Sequence, residues 1–449
     1  MRPARRPISF DGGLGLPMPG EAGSPEDGVS DQQKPSIAGV TLPARDAGKK
    51  SLLREHGGGA AEVSYLELFV DLVFVFAITQ LSHYLVEHLS WLGLAQTIVM
   101  FLAIWWAWIY TTWAANWINP DRVRIRVMLL GVMLGSMIMA IALPKAFATN
   151  GLLFAVAYLA IQIGRTAFTA IIMRGRDPGN SMSMVRITVW FCASAPLWIV
   201  GALDPDPGNR LMFWVAALAI EYAGPAMFFR TPFLGSTRTT DWAISGSHMA
   251  ERCALFIIIA LGEGIIITGA TFAKLEPDAA HVAAFMIAFT GSALMWWVYF
   301  DVGAVRGAEH IEHHAEPGRV ARNTFTYLHM PIVAGIVLTA VADELLLTHP
   351  TGPVPQALII TQCGGLIVFL IGTGLFKRPT SRLKNFPLSH SIGLALLAVQ
   401  ALWGWFILPE TLAFAGVSIA ILIVVTVWEW VSFHGGWRGR IELMASRWR

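Results

Sequence analysis

Residues 64–83, SYLELFVDLVFVFAITQLSH, form an almost unbroken apolar run that carries two acids, Glu67 and Asp71, in its first half. A helix of about twenty residues rises about 30 Å, the thickness of a bilayer's hydrocarbon core. The two acids are four positions apart and share a helical face, and Ser64 and Ser82 fall close to it. The stretch therefore reads as a spanning helix with one polar stripe. An ionisable group in hydrocarbon costs about 2.5–3.5 kcal/mol on insertion scales, so such a stripe faces a bundle interior or a water-filled cavity.

The rest of the chain repeats this pattern. Of its 449 residues, 55% are hydrophobic and 14% charged, and mean hydropathy is +0.56, whereas a soluble domain carries roughly a quarter charged residues. Apolar runs predict twelve spanning helices, near 64–88, 93–117, 124–147, 151–173, 184–203, 210–229, 246–272, 280–304, 323–347, 355–376, 388–408 and 411–433. Alternate connectors hold the Arg and Lys residues, among them Arg122, Arg124 and Arg126, then Arg174 and Arg176, then Arg230 and Arg238. Lys145, Arg210 and Lys274 are the exceptions. By the positive-inside rule, that alternation places both termini in the cytoplasm of a bacterial inner-membrane protein. The fold class expected is an all-α integral membrane protein of two parallel six-helix repeats, at 63–230 and 231–434. Residues 1–62, rich in Pro, Gly, Ser, Asp and Lys, are expected to form a disordered cytoplasmic tail, and 435–449 a basic one. The tail holds no apolar core of a signal peptide.

The net charge of +2 selects no partner, and no folded segment concentrates basic residues with exposed aromatics, so nucleic acid is not expected. Cys192, Cys253 and Cys363 sit in apolar runs without Cys-x-x-Cys spacing and read as small buried hydrophobes.

The repeat rests on matched features. Trp105-Trp106 in the second span returns as Trp296-Trp297 in the eighth, and Glu221 in the sixth has its counterpart in Glu429 of the twelfth. Six is even, so both halves enter from one side and the repeat is parallel. The tryptophan pairs read as packing residues or as an aromatic pocket, and Trp91, Trp117, Trp242 and Trp437 as interfacial anchors.

Span seven is the counterpart of span one. His248, Arg252 and Glu263 share a face by steps of four and eleven, with Glu251 beside them. Since both helices enter from the same side, Arg252 is expected to pair with an acid of span one, because an unpaired arginine at that depth is hard to tolerate. The cluster reads as glue between halves or as an ion- or proton-coupling site. Glu263 lies deeper, between Gly262 and Gly264, where glycines permit close backbone approach or a local break, and reads as a protonatable or ion-coordinating carboxylate. His329, near Pro331, is a proton relay or a hydrogen-bonded structural histidine. Asp301, Asp343 and Glu344 fall near span ends. His310, His313 and His314 read as metal ligands or as a solvated connector.

The motifs Glu67-Leu-Phe-Val-Asp71 through His83, His248-x-x-Glu251-Arg252, Ala260-Leu-Gly-Glu263 and Tyr327-x-His329-x-Pro331 resemble the bacterial low temperature requirement protein A family over roughly residues 62–433. The resemblance implies a multi-pass inner-membrane protein and no particular chemistry. Phe69-Val70-Asp71 is similar, more faintly, to the Phe-Ser-Asp segment of lysosomal and bacterial potassium channels, but Val70 replaces the serine and span seven has no matching Phe-x-Asp.

The functional expectation is a transporter or channel for a small ion or solute, using buried carboxylates. The alternative is a non-transporting membrane scaffold or stress-related protein whose charges fix helix register. No serine–histidine, paired-metal or nucleotide-binding pattern points to an enzyme, and no cofactor is expected. The expected partners are membrane lipid and a small ion or solute, with oligomerisation open.

Overall fold

The computed structural model of the protein describes residues 51–54, 63–237, 245–276, 278–301, 322–378 and 385–433. They hold twelve α-helices: α1 Tyr65–Glu87, α2 Trp91–Trp117, α3 Val123–Ala142, α4 Gly151–Met173, α5 Pro178–Leu203, α6 Pro207–Ala226, α7 Gly246–Phe272, α8 Ala279–Phe300, α9 His329–Thr348, α10 Gln356–Lys377, α11 Leu388–Ile407 and α12 Thr411–Phe433. A six-residue π-helical turn, Arg322–Tyr327, leads into α9. Eleven helices are long and apolar enough to cross a membrane; α6, with Arg210 and Glu221, is the other. The chain is a polytopic α-helical membrane protein.

Local chemistry sets the helix ends. Ser64 caps α1: its side chain accepts from the Glu67 N–H at 3.3 Å, and Glu67 Oε2 accepts from the Ser64 N–H at 2.8 Å, a reciprocal capping box. α5 starts earlier than apolarity predicts because Asp177 accepts from the Asn180 N–H at 3.0 Å and Pro178 takes the first helical position. α6 stops at Ala226, after Pro225, and the chain leaves through Phe228 and Phe229 at φ of 52° and 48°, a conformation costly for bulky residues. At α8, Asp278 accepts from the backbone and imidazole N–H groups of His281, which hold its carboxyl below the usual range.

Arg210, an exception to the loop-charge pattern, is buried. It donates to the carbonyls of Gly201, Ala202, Asp204, Ala146 and Ala148, five acceptors at the ends of α5 and the α3–α4 turn. The charge is spent on backbone, not left to orient the loop.

Within each half, chain neighbours pack: α1 on α2 and α3, α3 on α4, α4 on α5, α5 on α6, with α2 against α6. The second half repeats these pairs six helices later, α7 on α8 and α9, α9 on α10, α10 on α11, α11 on α12, with α8 against α12. The halves meet where α1 packs on α7 and α9, and α2 on α7. Of the stretch expected to be a disordered tail, residues 51–54 lie against α2, with a Leu53–Ile118 bridge and an Arg54 N–H to Trp117 carbonyl bond of 2.8 Å. The remainder of that tail, and the C-terminal tail, lie outside the described residues.

Three side-chain expectations need correction. Cys192 is exposed on the outer, apolar face of α5, not buried. Trp117 is buried, because it tilts against Trp113 rather than reaching an interface, while Trp91 is 73% exposed as an anchor would be. Trp105 and Trp106 are buried, whereas Trp296 and Trp297 are 48% and 45% exposed, so the paired motifs occupy unlike surroundings. Trp242 and Trp437 lie outside the described residues.

α9 and α10 are in backbone contact. A Cβ on Gly335 would stand 2.7 Å from the Gly365 carbonyl oxygen and 2.8 Å from the Phe369 nitrogen. Neither backbone atom can yield without separating the helices, so Gly335→Ala should lower stability by about 1–3 kcal/mol. Gly364→Ala on the same helix pair meets nothing within 4 Å and should be neutral or stabilising by up to about 1 kcal/mol through helix propensity. Thermal unfolding of the two purified variants in detergent checks this; equal melting temperatures would contradict the close approach.

Candidate functional site

The charges of α1 and α7 meet at the seam between the halves, near the ends where both helices begin. Arg252 is the hub: its Nη2 donates to Asp71 Oδ1 at 2.5 Å and its Nη1 lies 3.4 Å from Glu67 Oε1. The expected pairing of Arg252 with acids of α1 is therefore present, and with both. Glu67 also accepts from Arg54 Nη2 at 3.0 Å and meets His248 Nε2 at 2.9 Å. Asp71 Oδ1 takes a further bond, of 2.8 Å, from the Trp108 indole N–H. All of Glu67, Asp71, His248 and Arg252 are buried.

The protonation of His248 follows from its neighbour. Asn116 accepts from the Ser245 N–H through Oδ1 and donates to the Ser245 carbonyl through Nδ2, which fixes the amide's orientation. Its Nδ2, 3.2 Å from His248 Nδ1, is therefore a donor. The ring accepts there and carries its proton on Nε2, toward Glu67, so the imidazole is neutral. Two guanidiniums, Arg54 and Arg252, then face two carboxylates, Glu67 and Asp71, and among the described residues the cluster is balanced. It is not saturated: Asp71 Oδ2 and Arg252 Nε are buried with no hydrogen-bond partner among the described residues.

The other expected residues lie elsewhere. Glu251 is exposed beside the cluster and accepts from the Val63 N–H at 3.3 Å. Glu263 is half-buried and makes no hydrogen bond or ion pair among the described residues. α7 runs unbroken past it, and a Cβ on Gly262 or Gly264 would meet nothing within 4 Å, so these glycines mark neither a break nor a close approach. His329 is buried and satisfied: Nδ1 donates to the Thr324 carbonyl at 2.9 Å, which leaves Nε2 to accept from the Tyr299 hydroxyl at 2.8 Å. Farther along α1, His83 Nδ1 lies 3.6 Å from Glu344 Oε2 of α9.

Glu221 and Glu429 are both buried but differently held. Glu221 accepts from Ser194 Oγ at 2.7 Å, from Trp198 Nε1 at 2.8 Å and from the Tyr158 hydroxyl. Glu429 pairs with Lys377 at 2.5 Å, and that ammonium also donates to the Val298 carbonyl. Lys377 looks like a loop charge in the sequence, because it ends its helix. Arg54, assigned to the tail, is a second functional residue the sequence reading passed over.

A third is Arg165, buried midway along α4, where a search for acids does not find it although it interrupts an apolar run. Its guanidinium binds only neutral acceptors: the Ala107 carbonyl, Thr111 Oγ1, Gln162 Oε1 and Thr166 Oγ1, at 2.6–3.2 Å. Gln162 Nε2 in turn donates to Tyr158 Oη at 3.0 Å, so Glu221 is reached only through two intervening side chains.

Among the described residues no three His, Cys, Asp or Glu side chains form a metal-holding group; His310, His313 and His314 lie outside them.

A bundle of apolar helices with a charge-balanced ionic cluster at the seam of its halves defines a polytopic membrane protein with a buried polar centre. The chain belongs to the family described as bacterial low temperature requirement A protein (LtrA), whose sequence pattern matches residues 62–427. It is similar to an uncharacterized protein of Rhizobium meliloti (strain 1021), 41% identical over 384 residues, which cover 85% of this chain and 92% of that protein.

Removing Arg252 would leave two buried carboxylates facing each other. Arg252→Met should therefore cost about 3–5 kcal/mol, and adding Asp71→Asn to it should restore at least about 1 kcal/mol, since one orphaned charge is gone. Chemical unfolding of the single and double variants measures this. A double variant as unstable as the sum of the singles would remove the coupling.

Proposed function

We propose that the chain is an inner-membrane transporter or channel that moves a small ion or solute, with the Glu67–Asp71–His248–Arg252 cluster as its protonatable element. The observation that carries this reading is the incomplete pairing at Asp71. A static buried ion pair is stable when every lone pair and proton is used, and here one carboxylate oxygen and one guanidinium N–H have no partner among the described residues of the seam. A bare oxygen beside a movable cation is where a proton or small cation is accepted. Protonation of Asp71 would weaken its hold on Arg252 and loosen α1 from α7, the contact any rocking of one half against the other must change. Glu263, on the same face of α7 and without a partner among the described residues, is the next carboxylate along that helix. Glu221, Glu429, Glu251 and His329 are secondary candidates, each already engaged.

The matching helix contacts support two parallel six-helix units, 63–230 and 231–434, as does the equivalence of the Glu221 bond to α4 with the Glu429 bond to α10. Both units then begin at the cytoplasmic face, where the Arg-bearing connectors collect.

A second reading has one observation behind it. The remaining contacts of the cluster are saturated and balanced in charge, which suffices to hold α1 and α7 in register in a protein that moves nothing.

Proteoliposomes separate the two. Under imposed pH and potential gradients the wild-type protein should pass a flux or current, and Asp71→Asn should reduce it at least about tenfold while the melting temperature stays within a few degrees. Absence of any wild-type flux across monovalent ions and small solutes would leave the register reading standing and dispose of transport.

A further inference from the structure

A second polar centre lies inside the first half, away from the Arg252 cluster. α2, α4, α5, the end of α6 and the π-helical turn line a partly open cavity of about 30 Å³. Its wall includes two arginines, Arg165 and Arg322, and the aromatic residues Trp106, Tyr110 and Trp113, with Thr326 from the turn. No acidic side chain lines it.

The donors around this space outnumber their acceptors. The Trp106 indole is fully buried, yet its N–H has no partner among the described residues. Arg322 Nη1 donates to the Pro225 carbonyl at 3.1 Å, while its Nε is buried and unpaired. Arg165 is 2% exposed, and its Nη atoms are engaged with neutral oxygens. Its guanidinium also stands 5.6 Å over the Tyr110 ring. A buried N–H without an acceptor costs about 1–3 kcal/mol, so two around one cavity, Trp106 Nε1 and Arg322 Nε, form a deficit that packing alone does not explain.

With two guanidiniums on the wall and no carboxylate, an acceptor with negative charge would answer this deficit best. Thr326 shows how the turn contributes: its carbonyl accepts from Trp105 Nε1 at 2.8 Å and its hydroxyl from Trp113 Nε1 at 3.0 Å, so the irregular backbone anchors two indoles at the cavity's edge. π-helical turns occur rarely and concentrate at functional sites.

We propose that this cavity is a binding site for a small monovalent anion, held between the Arg165 and Arg322 guanidiniums and the Trp106 N–H. The size restricts the ligand. A water needs about 10–15 Å³ of such space, so a cavity of about 30 Å³ admits an ion between a halide and a short carboxylate and excludes sugars and nucleotides. The aromatic wall favours a weakly hydrated monoanion over sulfate or phosphate, whose desolvation costs more. The site stands whether or not the chain transports anything.

The test uses the full-length protein in nanodiscs, melted at constant ionic strength as chloride replaces gluconate, which is too large for the cavity. A ligand that binds only the folded state raises the melting temperature in a saturable way, so a saturable rise with chloride and with bromide is expected. Trp106→Phe keeps an aromatic ring but removes the indole N–H together with the pyrrole ring, and Arg322→Gln removes one charge. Each should raise the half-saturating chloride concentration at least about fivefold. If chloride gives no rise, or the same rise in wild type and both variants, the cavity holds water only and the proposal is overturned.

Discussion

The ion pair that joins Arg252 to Asp71 and Glu67 is the contact on which the arrangement of the two halves rests. Each of these groups alone would cost several kcal/mol in an apolar interior, and the mutual attraction of a close pair offsets that cost only while the geometry is kept. Spaced by one helical turn, Glu67 and Asp71 offer two oxygens along a single face, and one guanidinium spans both. This fixes α1 against α7 in depth and rotation together. A slide of one turn would move Arg252 off Asp71, and a rotation would turn the acids toward lipid. Trp108 and His248 add neutral bonds that hold each carboxylate in place from α2 and α7.

The other buried charges meet the same requirement in different ways, and the differences carry information. Lys377 has a carboxylate, Glu429, and the pair is closed. Arg210 has five carbonyl oxygens at helix ends, whose partial negative charge suits a cation. Glu221 has three donors and no cation in contact. Arg165 has hydroxyl, amide and carbonyl oxygens, which satisfy hydrogen bonds but bring no full charge. Of these four, Arg165 alone lines an open space, which it shares with Arg322, and that sets it apart from the structural cations.

The fold was legible in the sequence to the extent that hydrocarbon thickness controls it. Spans and loop charges located the helices to within a turn or two, and the larger errors fall where a cap overrides hydropathy at Asp177, where a 3₁₀ turn ends α3 at Ala142, and where the π-helical turn delays α9 to His329. The Arg252 pairing was legible too, because helical spacing and equal depth leave it few partners. What was not legible depends on what stands opposite a residue. Glu263 shares a face with Arg252, yet the neighbours that bury that face near the start of α7 do not cover it two to three turns further on. Arg54 was hidden by its polar flanks, Lys377 by its place at a helix end, and Trp108 and Asn116 by residue types that normally report packing. The tryptophan pairs show the limit of motif matching, since one sits in the core and the other faces outward.

α2 is the element that touches both polar centres. Trp108 donates to Asp71, while Trp105 and Trp113 are anchored on Thr326, and Trp106 faces the arginine-lined cavity. The rings of Trp105 and Trp108 lie 4.9 Å apart and both rest on Phe256 of α7, at 6.2 and 4.2 Å. A close-packed aromatic layer of this kind shifts as a unit rather than deforming locally. Any exchange between the charge state of Asp71 and the occupancy of the cavity therefore has a short physical route, through indole rings on one helix. Coupling between sites requires an element that both can bias. The element placed to be biased by both is α2 together with the π-helical turn, whose backbone departs from the α-helical pattern of the spans.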